Sequence, residues 1–332
     1  MSNESKRAPR GAWAVATALA VALIAATQAP AQTVIYDSTG FESPTFATGA
    51  LASYWGPPPN PPGPGGQNGW LTTDVTQALS GPAGGAGQIV NVNAFAGTQA
   101  FRIDGTKLFN DPQFFASTFW FRSAAVGAIS PVASGTPFVT VSTRQRVDTT
   151  GITVGDMPFV GVYLDGYTGT GTQLGITNVF RNVNGGVTVL GPNPGQAANS
   201  FQAYNTADNI WSANTYHNLQ VTLNFNTTGT NPQSVAVTLD GTALSFTPAN
   251  GGSAVATVPF KNSNVAGTTT VGIAEYGFQA SFNTQVTTTT NNAFFDNFLV
   301  TRAAVPEPAS ILLLCGGVAA AGWQFRRRKV SA

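Results

Sequence analysis

Leu219, Val221, Leu223 and Phe225 alternate with Gln220, Thr222, Asn224 and Asn226 along the chain. A period of two sends successive side chains to opposite faces, so residues 216–225 are predicted to form a strand with one apolar and one polar face. A second alternation, Val235, Val237 and Leu239, stops at Asp240-Gly241. Asp-Gly between two β segments is a strong hairpin signal, and residues 243–246 are read as the returning strand.

The same reading predicts strands at 33–37, 88–95, 99–104, 114–122, 137–144, 158–165, 268–276 and 293–301. In 158–165, Val160, Val162 and Leu164 share a face, and 114–122 is dense in aromatics, with Phe115, Phe119, Trp120 and Phe121. A loop at 56–66 holds Pro57-Pro58-Pro59 and Pro61-Pro62, which favour an extended polyproline path over the surface. No segment between 32 and 304 combines a helical apolar period with caps. Strands separated by Gly, Asn and Pro turns predict an all-β sandwich.

Charge changes the picture of partners. Only 9% of residues are charged, against an average near 25%, so solubility rests on hydroxyls and amides. Between the two ends stand Arg102, Lys107, Arg122, Arg144, Arg146, Arg181, Lys261 and Arg302 against twelve carboxylates. No basic stripe exists for nucleic acid. Cys315 is the single cysteine, so an intramolecular disulfide and a thiol nucleophile are both excluded. His217 is the single histidine, which excludes multi-histidine zinc sites, and it is read as a structural residue at a strand entrance. No G-x-S-x-G elbow and no phosphate-binding glycine motif occurs.

Glycoside hydrolysis requires two carboxylates, about 5 Å apart for retention and wider for inversion. Between 32 and 304 there are only two glutamates, Glu42 and Glu275, and no strand with closely spaced acids. Glu275 and Asp165 are therefore expected as rim carboxylates, and no catalytic residue is assigned. Sugar binding asks for exposed aromatics with a few polar groups. Trp55, Trp70, Tyr163, Tyr167, Tyr204 and Trp211 lie in or near expected loops, and the segment Asp165-Gly166-Tyr167, with Trp211, is the candidate carbohydrate contact.

Both ends carry addresses. Lys6, Arg7 and Arg10 precede an apolar run at 13–26 and Ala29-Pro30-Ala31, the pattern of a cleavable signal peptide at 1–31. The exported domain is then 32–304. At the other end Val305, Pro306, Glu307 and Pro308 precede an apolar segment at 309–325 and the cluster Arg326, Arg327, Arg328, Lys329. Seventeen residues is near the lower limit for crossing roughly 30 Å of hydrocarbon as a helix, and the cations would stay cytoplasmic. This order of motif, transmembrane helix and basic end, over 305–329, resembles the PEP-CTERM sorting signal. The resemblance implies an exosortase-type processing enzyme as partner and membrane attachment before processing. It also implies a destination in the envelope, surface or biofilm matrix of a bacterium with an outer membrane.

The exported region resembles, through Phe41-Glu42, Gly69-Trp70, Tyr216-His217-Asn218-Leu219-Gln220-Val221, Val237-Thr238-Leu239-Asp240-Gly241 and Phe295-Asp296-Asn297-Phe298-Leu299-Val300, jelly rolls of the concanavalin and laminin-G kind. It is also similar to galactose-binding jelly rolls, in some of which groups near the first and last of these positions bracket a structural calcium. Asp296 sits among large apolar residues and is expected in a central strand, where a carboxylate needs a metal or a partner. The readings are calcium through Asp296 with Glu42 as neighbour, or hydrogen bonds to loop amides, or pairing with Arg102 or Arg122. The expected function is a non-enzymatic, exported surface or matrix protein in contact with exopolysaccharide. The alternatives are a lectin-like module and a carbohydrate-active glycosidase or lyase.

Overall fold

The computed structural model describes residues 32–50, 67, 70–72, 87–104, 116–122, 136–148, 159–167, 173–182, 184–194, 200–226, 233–261, 272–281 and 292–303. Thr33–Arg302 forms one compact unit, and Met1–Gln32 with Ala303–Ala332 forms another. The stretch 1–31 expected as a signal peptide, the loop expected at 56–66, Val305 to Pro308, the apolar segment at 309–325 and Arg326 to Lys329 lie outside the described residues. Among the described residues no helix is long and apolar enough to cross a membrane.

In chain order the first strands are β1 Gln32–Asp37, β2 Gly49–Ala50, β3 Trp70–Thr72, β4 Gly87–Val90, β5 Ala100–Asp104 and β6 Ala116–Arg122. Next come β7 Phe138–Asp148, β8 Phe159–Tyr167, β9 Gln173–Arg181, β10 Val187–Pro192, β11 Phe201–Asn205 and β12 His217–Asn224. The last are β13 Ser234–Leu239, β14 Thr242–Ala243, β15 Thr247–Pro248, β16 Val258–Pro259, β17 Gly272–Ser281 and β18 Asn292–Ala303. A ten-stranded sheet runs β14-β13-β12-β7-β18-β5-β4-β2, with β1 on β18 and β16 on β13. An eight-stranded sheet runs β15-β11-β10-β9-β8-β17-β6-β3. Neighbours far apart in sequence, β12 beside β7 and β17 between β8 and β6, make this a jelly-roll β-sandwich.

Alternation explains the layers. In β12 every second residue is buried, and β12 pairs with β7 so that Val221 faces Val141 and Leu223 faces Val139. These meet Val162, Val179, Val187 and Val189 of the second sheet in one continuous core. The Asp240-Gly241 hairpin forms as the sequence predicts. Leu239 pairs with Thr242, and Asp240 (φ 51°) and Gly241 (φ 80°) are both left-handed, as a two-residue type I′ turn demands.

β9, β10 and β11 are among the strands with no counterpart in the sequence reading, because polar residues are buried beside their apolar ones and mask the alternation. Thr177 is buried and its hydroxyl donates to the Leu190 carbonyl at 3.2 Å; Thr188 is buried and donates to Asn205 Oδ1 at 2.6 Å. Conversely, the strand expected at 88–95 ends at Val90, and a bent loop with Asn93 at φ 54° follows.

An aromatic node joins the first and last segments. The Trp70 ring lies 5.4 Å from Phe41 and 5.1 Å from Phe298, and its Nε1 donates to Tyr36 Oη at 2.7 Å. Phe41 also contacts Phe46 and Phe101, at 5.1 and 5.9 Å. Trp70 is completely buried. Trp70→Ala is expected to cost about 3–5 kcal/mol, since it removes a large ring and leaves a cavity. Urea unfolding of both proteins checks this, and a cost below about 1 kcal/mol would show the node to be dispensable.

Candidate functional site

Asp296 stands in β18, between β7 and β5, with no solvent exposure. Its Oδ2 accepts from the amides of Phe95 (2.8 Å) and Ala96 (3.1 Å), and its Oδ1 from the amide of Asn297 (2.7 Å). Glu42 reaches the same loop from the other side. Its Oε1 accepts from the amides of Thr98 and Gln99, both at 2.7 Å, and its Oε2 from the Thr98 hydroxyl at 2.8 Å. Of the readings for Asp296, loop amides therefore supply the compensation seen among the described residues. Arg102 Nη2 donates instead to Gln88 Oε1 at 2.8 Å.

Glycine is required twice at this place. Gly40 (φ +73°) lies where a Cβ would meet Asp296 Oδ1 at 3.1 Å and Asn297 Oδ1 at 3.2 Å. A Cβ on Gly97 (φ +72°) would fall 2.3 Å from Glu42 Oε1. The loop is pinned from outside as well. The Tyr216 hydroxyl donates to the Asn93 carbonyl, and the Phe95 ring packs 5.5 Å from Tyr216 with the Arg144 guanidinium 4.4 Å above it.

The two carboxyls titrate in opposite directions. Burial pushes Asp296 up, the three amides pull against it, and the Glu42 charge adds to the rise, leaving it above its ordinary value. Burial also opposes ionisation of Glu42, but the Gln99 and Thr98 donors outweigh it and hold Glu42 below its ordinary value. Asp296 Oδ1 and Glu42 Oε2 each keep acceptor capacity that a cation could use. Among the described residues no group of three or more His, Cys, Asp or Glu side chains gathers for a metal.

The candidate carbohydrate contacts do not come together. Trp211 is fully buried: its ring lies 5.9 Å from that of His217, its carbonyl accepts from Arg181 Nε at 3.1 Å, and its amide donates to the Gly185 carbonyl at 2.8 Å. A ring closed in the core cannot stack on a sugar, so the expectation of an exposed Trp211 is corrected. Asp165 and Tyr167 belong to the end of β8, not to a loop. Asp165 is the register partner of both Glu275 and Gly175, and Glu275 is in turn the partner of Arg122, beside irregularities at Leu164/Asp165 and Gly272/Glu275. Two residues expected as separate rim groups are thus register partners across β8 and β17.

His217 opens β12, as expected, but it is more heavily engaged than a plain structural residue. Its Nδ1 lies 2.6 Å from Asp240 Oδ2 and its Nε2 lies 2.9 Å from Ser212 Oγ. Asp240 could have been paired with His217 from the hairpin alone, because the Asp-Gly turn returns beside the start of β12. Ser212 left no signal, since it lies in an aperiodic loop.

Asp296→Ala would strand the amides of Phe95, Ala96 and Asn297 and is expected to cost about 2–4 kcal/mol. Hydrogen exchange at Phe95 and Ala96 should rise in the variant. The sign of the pH effect follows from the raised Asp296 value. The wild type is stabilised by this group at low pH and loses that part as pH rises through its folded-state value, a slope the variant lacks. Equal stability across pH in the two proteins would contradict the clamp.

Comparison with known proteins adds the following. The family described as PEP-CTERM protein-sorting motif matches residues 304–329. No curated protein matches the sequence. Among solved structures, the chain is similar to a carbohydrate esterase from the Shiga toxin-encoding bacteriophage phi24B, at 11% identity and TM-score 0.42, over 82% of this chain and 100% of that one. It is also similar to an alginate lyase from Chlorella virus, at 12% identity and TM-score 0.39, over 69% of this chain and 97% of that one. A third similar structure is the metal-free carbohydrate recognition domain of Emp46p, at 9% identity and TM-score 0.37, over 71% of this chain and 89% of that one. The chain thus carries, at residues 304–329, a PEP-CTERM protein-sorting motif, which implies export and sorting to the cell envelope.

Proposed function

We propose that the sandwich serves at the cell surface or in the extracellular matrix, in contact with exopolysaccharide, after an exosortase-type enzyme has processed the tail. The observation that carries this reading is the sorting motif at 304–329, which begins directly after β18 ends at Ala303. Composition supports a polysaccharide partner, because a chain with 9% charged residues presents hydroxyls and amides in place of charges.

The register of the second sheet also supports it. Side by side, β8, β17 and β6 align Tyr163, Gly277 and Trp120 in one row and Asp165, Glu275 and Arg122 in another. Aromatic residues two positions from a row of carboxylates and an arginine supply the residue types that sugar rings and their hydroxyls require. Asp165 and Tyr167 keep their place in this reading, on the strand, and Trp211 leaves it.

Calcium belongs to the same proposal as a structural ligand. Asp296 and Glu42 would hold it, and a cation would relieve the repulsion by which Glu42 raises Asp296. Millimolar calcium is expected to raise the melting midpoint of the chain and a chelator to reverse the rise. An unchanged midpoint would leave the pair to the loop amides alone.

Binding is tested by retention of the purified chain on immobilised acidic and neutral exopolysaccharides. Trp120→Ala and Tyr163→Ala are each expected to weaken retention by about 1 kcal/mol or more. Absence of retention on every polysaccharide, with the fold intact, would remove the carbohydrate partner and leave the sorting reading standing.

A further inference from the structure

Ser212, His217 and Asp240 have no part in that reading, yet they meet with the spacing of a nucleophile, a base and an orienting acid. We propose that Ser212, His217 and Asp240 form a hydrolytic triad that cleaves carboxylic esters, with O-acyl groups on polysaccharide as the substrate class. The substrate class rests on the polysaccharide reading above; the triad rests on its own geometry.

Two segments bring the groups together. Ser212 lies in the loop ahead of β12, His217 is the first residue of β12, and Asp240 begins the turn between β13 and β14. The contacts fall on opposite ring nitrogens, Nδ1 to Asp240 Oδ2 at 2.6 Å and Nε2 to Ser212 Oγ at 2.9 Å. Burial alone would raise the Asp240 carboxyl, but the Asn218 amide, at 2.8 Å from Oδ1, and the His217 ring outweigh it and hold Asp240 below its ordinary value. An ionised Asp240 fixes the neutral imidazole proton on Nδ1. The lone pair of Nε2 then faces the serine hydroxyl, the tautomer a general base needs.

The surroundings divide the groups as catalysis would. His217 is 8% exposed and its ring packs against buried Trp211, whereas Ser212 is exposed and open to a substrate. A histidine that only pins the hairpin needs the Asp240 contact alone; a second bond to an exposed hydroxyl, which water could satisfy equally well, adds little to folding.

The chemistry balances with water as the only co-reactant. Ser212 Oγ attacks the ester carbonyl carbon while His217 Nε2 takes the hydroxyl proton. The tetrahedral adduct collapses, the carbon–oxygen bond to the sugar breaks, and the sugar oxygen receives that proton. Water then attacks the acyl-serine with His217 again as base, and the carboxylic acid leaves as Ser212 is restored. Ser212 and His217 are the catalytic residues, and Asp240, whose side chain is 48% exposed, is a positioning residue.

The full chain is treated with a fluorophosphonate probe and digested for peptide mass spectrometry, and hydrolysis of p-nitrophenyl acetate is followed in parallel. Phosphonylation at Ser212 is expected. Ser212→Ala, at an exposed position that leaves the melting midpoint unchanged, should lower kcat/KM at least a hundredfold, and Asp240→Asn about tenfold or more with a displaced pH–rate profile. Absence of label at Ser212 in the folded wild type, or undiminished hydrolysis by Ser212→Ala, overturns the triad. A second arm measures acetate released from an O-acetylated polysaccharide. Release that requires Ser212 supports the substrate class. Labelling and small-ester hydrolysis without such release overturns the class alone, and the retention assay reports independently on polysaccharide binding.

Discussion

A carboxylate with no solvent exposure in the middle of a ten-stranded sheet must find donors or forbid the sheet. Asp296 finds them in the amides of Phe95 and Ala96, which belong to a loop about two hundred residues earlier in the chain. Glu42 holds the next two amides of that loop, Thr98 and Gln99, so one loop is gripped by the first and last parts of the domain at once. Charge-assisted hydrogen bonds of this kind contribute roughly 1.5–3 kcal/mol each. Without them the buried carboxyl of Asp296 would oppose the placement of β18 between β7 and β5. The aromatic node of Trp70, Phe41 and Phe298 lies on the same seam and adds burial to polar satisfaction.

Legibility from sequence followed the physics of each segment. β12 and β13 were readable because Leu219, Val221 and Leu223 in one and Val235, Val237 and Leu239 in the other recur at every second position, and the Asp-Gly turn between β13 and β14 was readable because few dipeptides accept two left-handed residues. β9 to β11 were not, because Thr177 and Thr188 are buried beside apolar neighbours, bonded to the Leu190 carbonyl and to Asn205, and erase the alternation. Trp211 was misplaced for a related reason: aperiodic flanks suggested a loop tip, while Arg181 and His217 fold that loop onto the core. The need of Asp296 for partners was legible from its apolar neighbours, but the identity of those partners, backbone amides, leaves no side-chain trace.

Address and chemistry occupy different parts of the chain. The motif at 304–329 specifies destination, while the core of the described residues is built between Tyr36 and Val300. Within the sandwich, the row of Asp165, Glu275 and Arg122 lies on the eight-stranded sheet, while His217 and Asp240 lie on the ten-stranded sheet. Retention of a polymer and hydrolysis of its acyl groups would thus draw on separate elements of one domain, each removable without the other.

The central claim is that an exported sandwich is delivered by its tail. The intact mass of the protein recovered from the surface of cells with a functional exosortase tests it most directly. The account predicts a chain that has lost Arg326 to Lys329 together with the apolar segment at 309–325. Recovery of the surface protein with its C-terminus intact through Ala332 would contradict it.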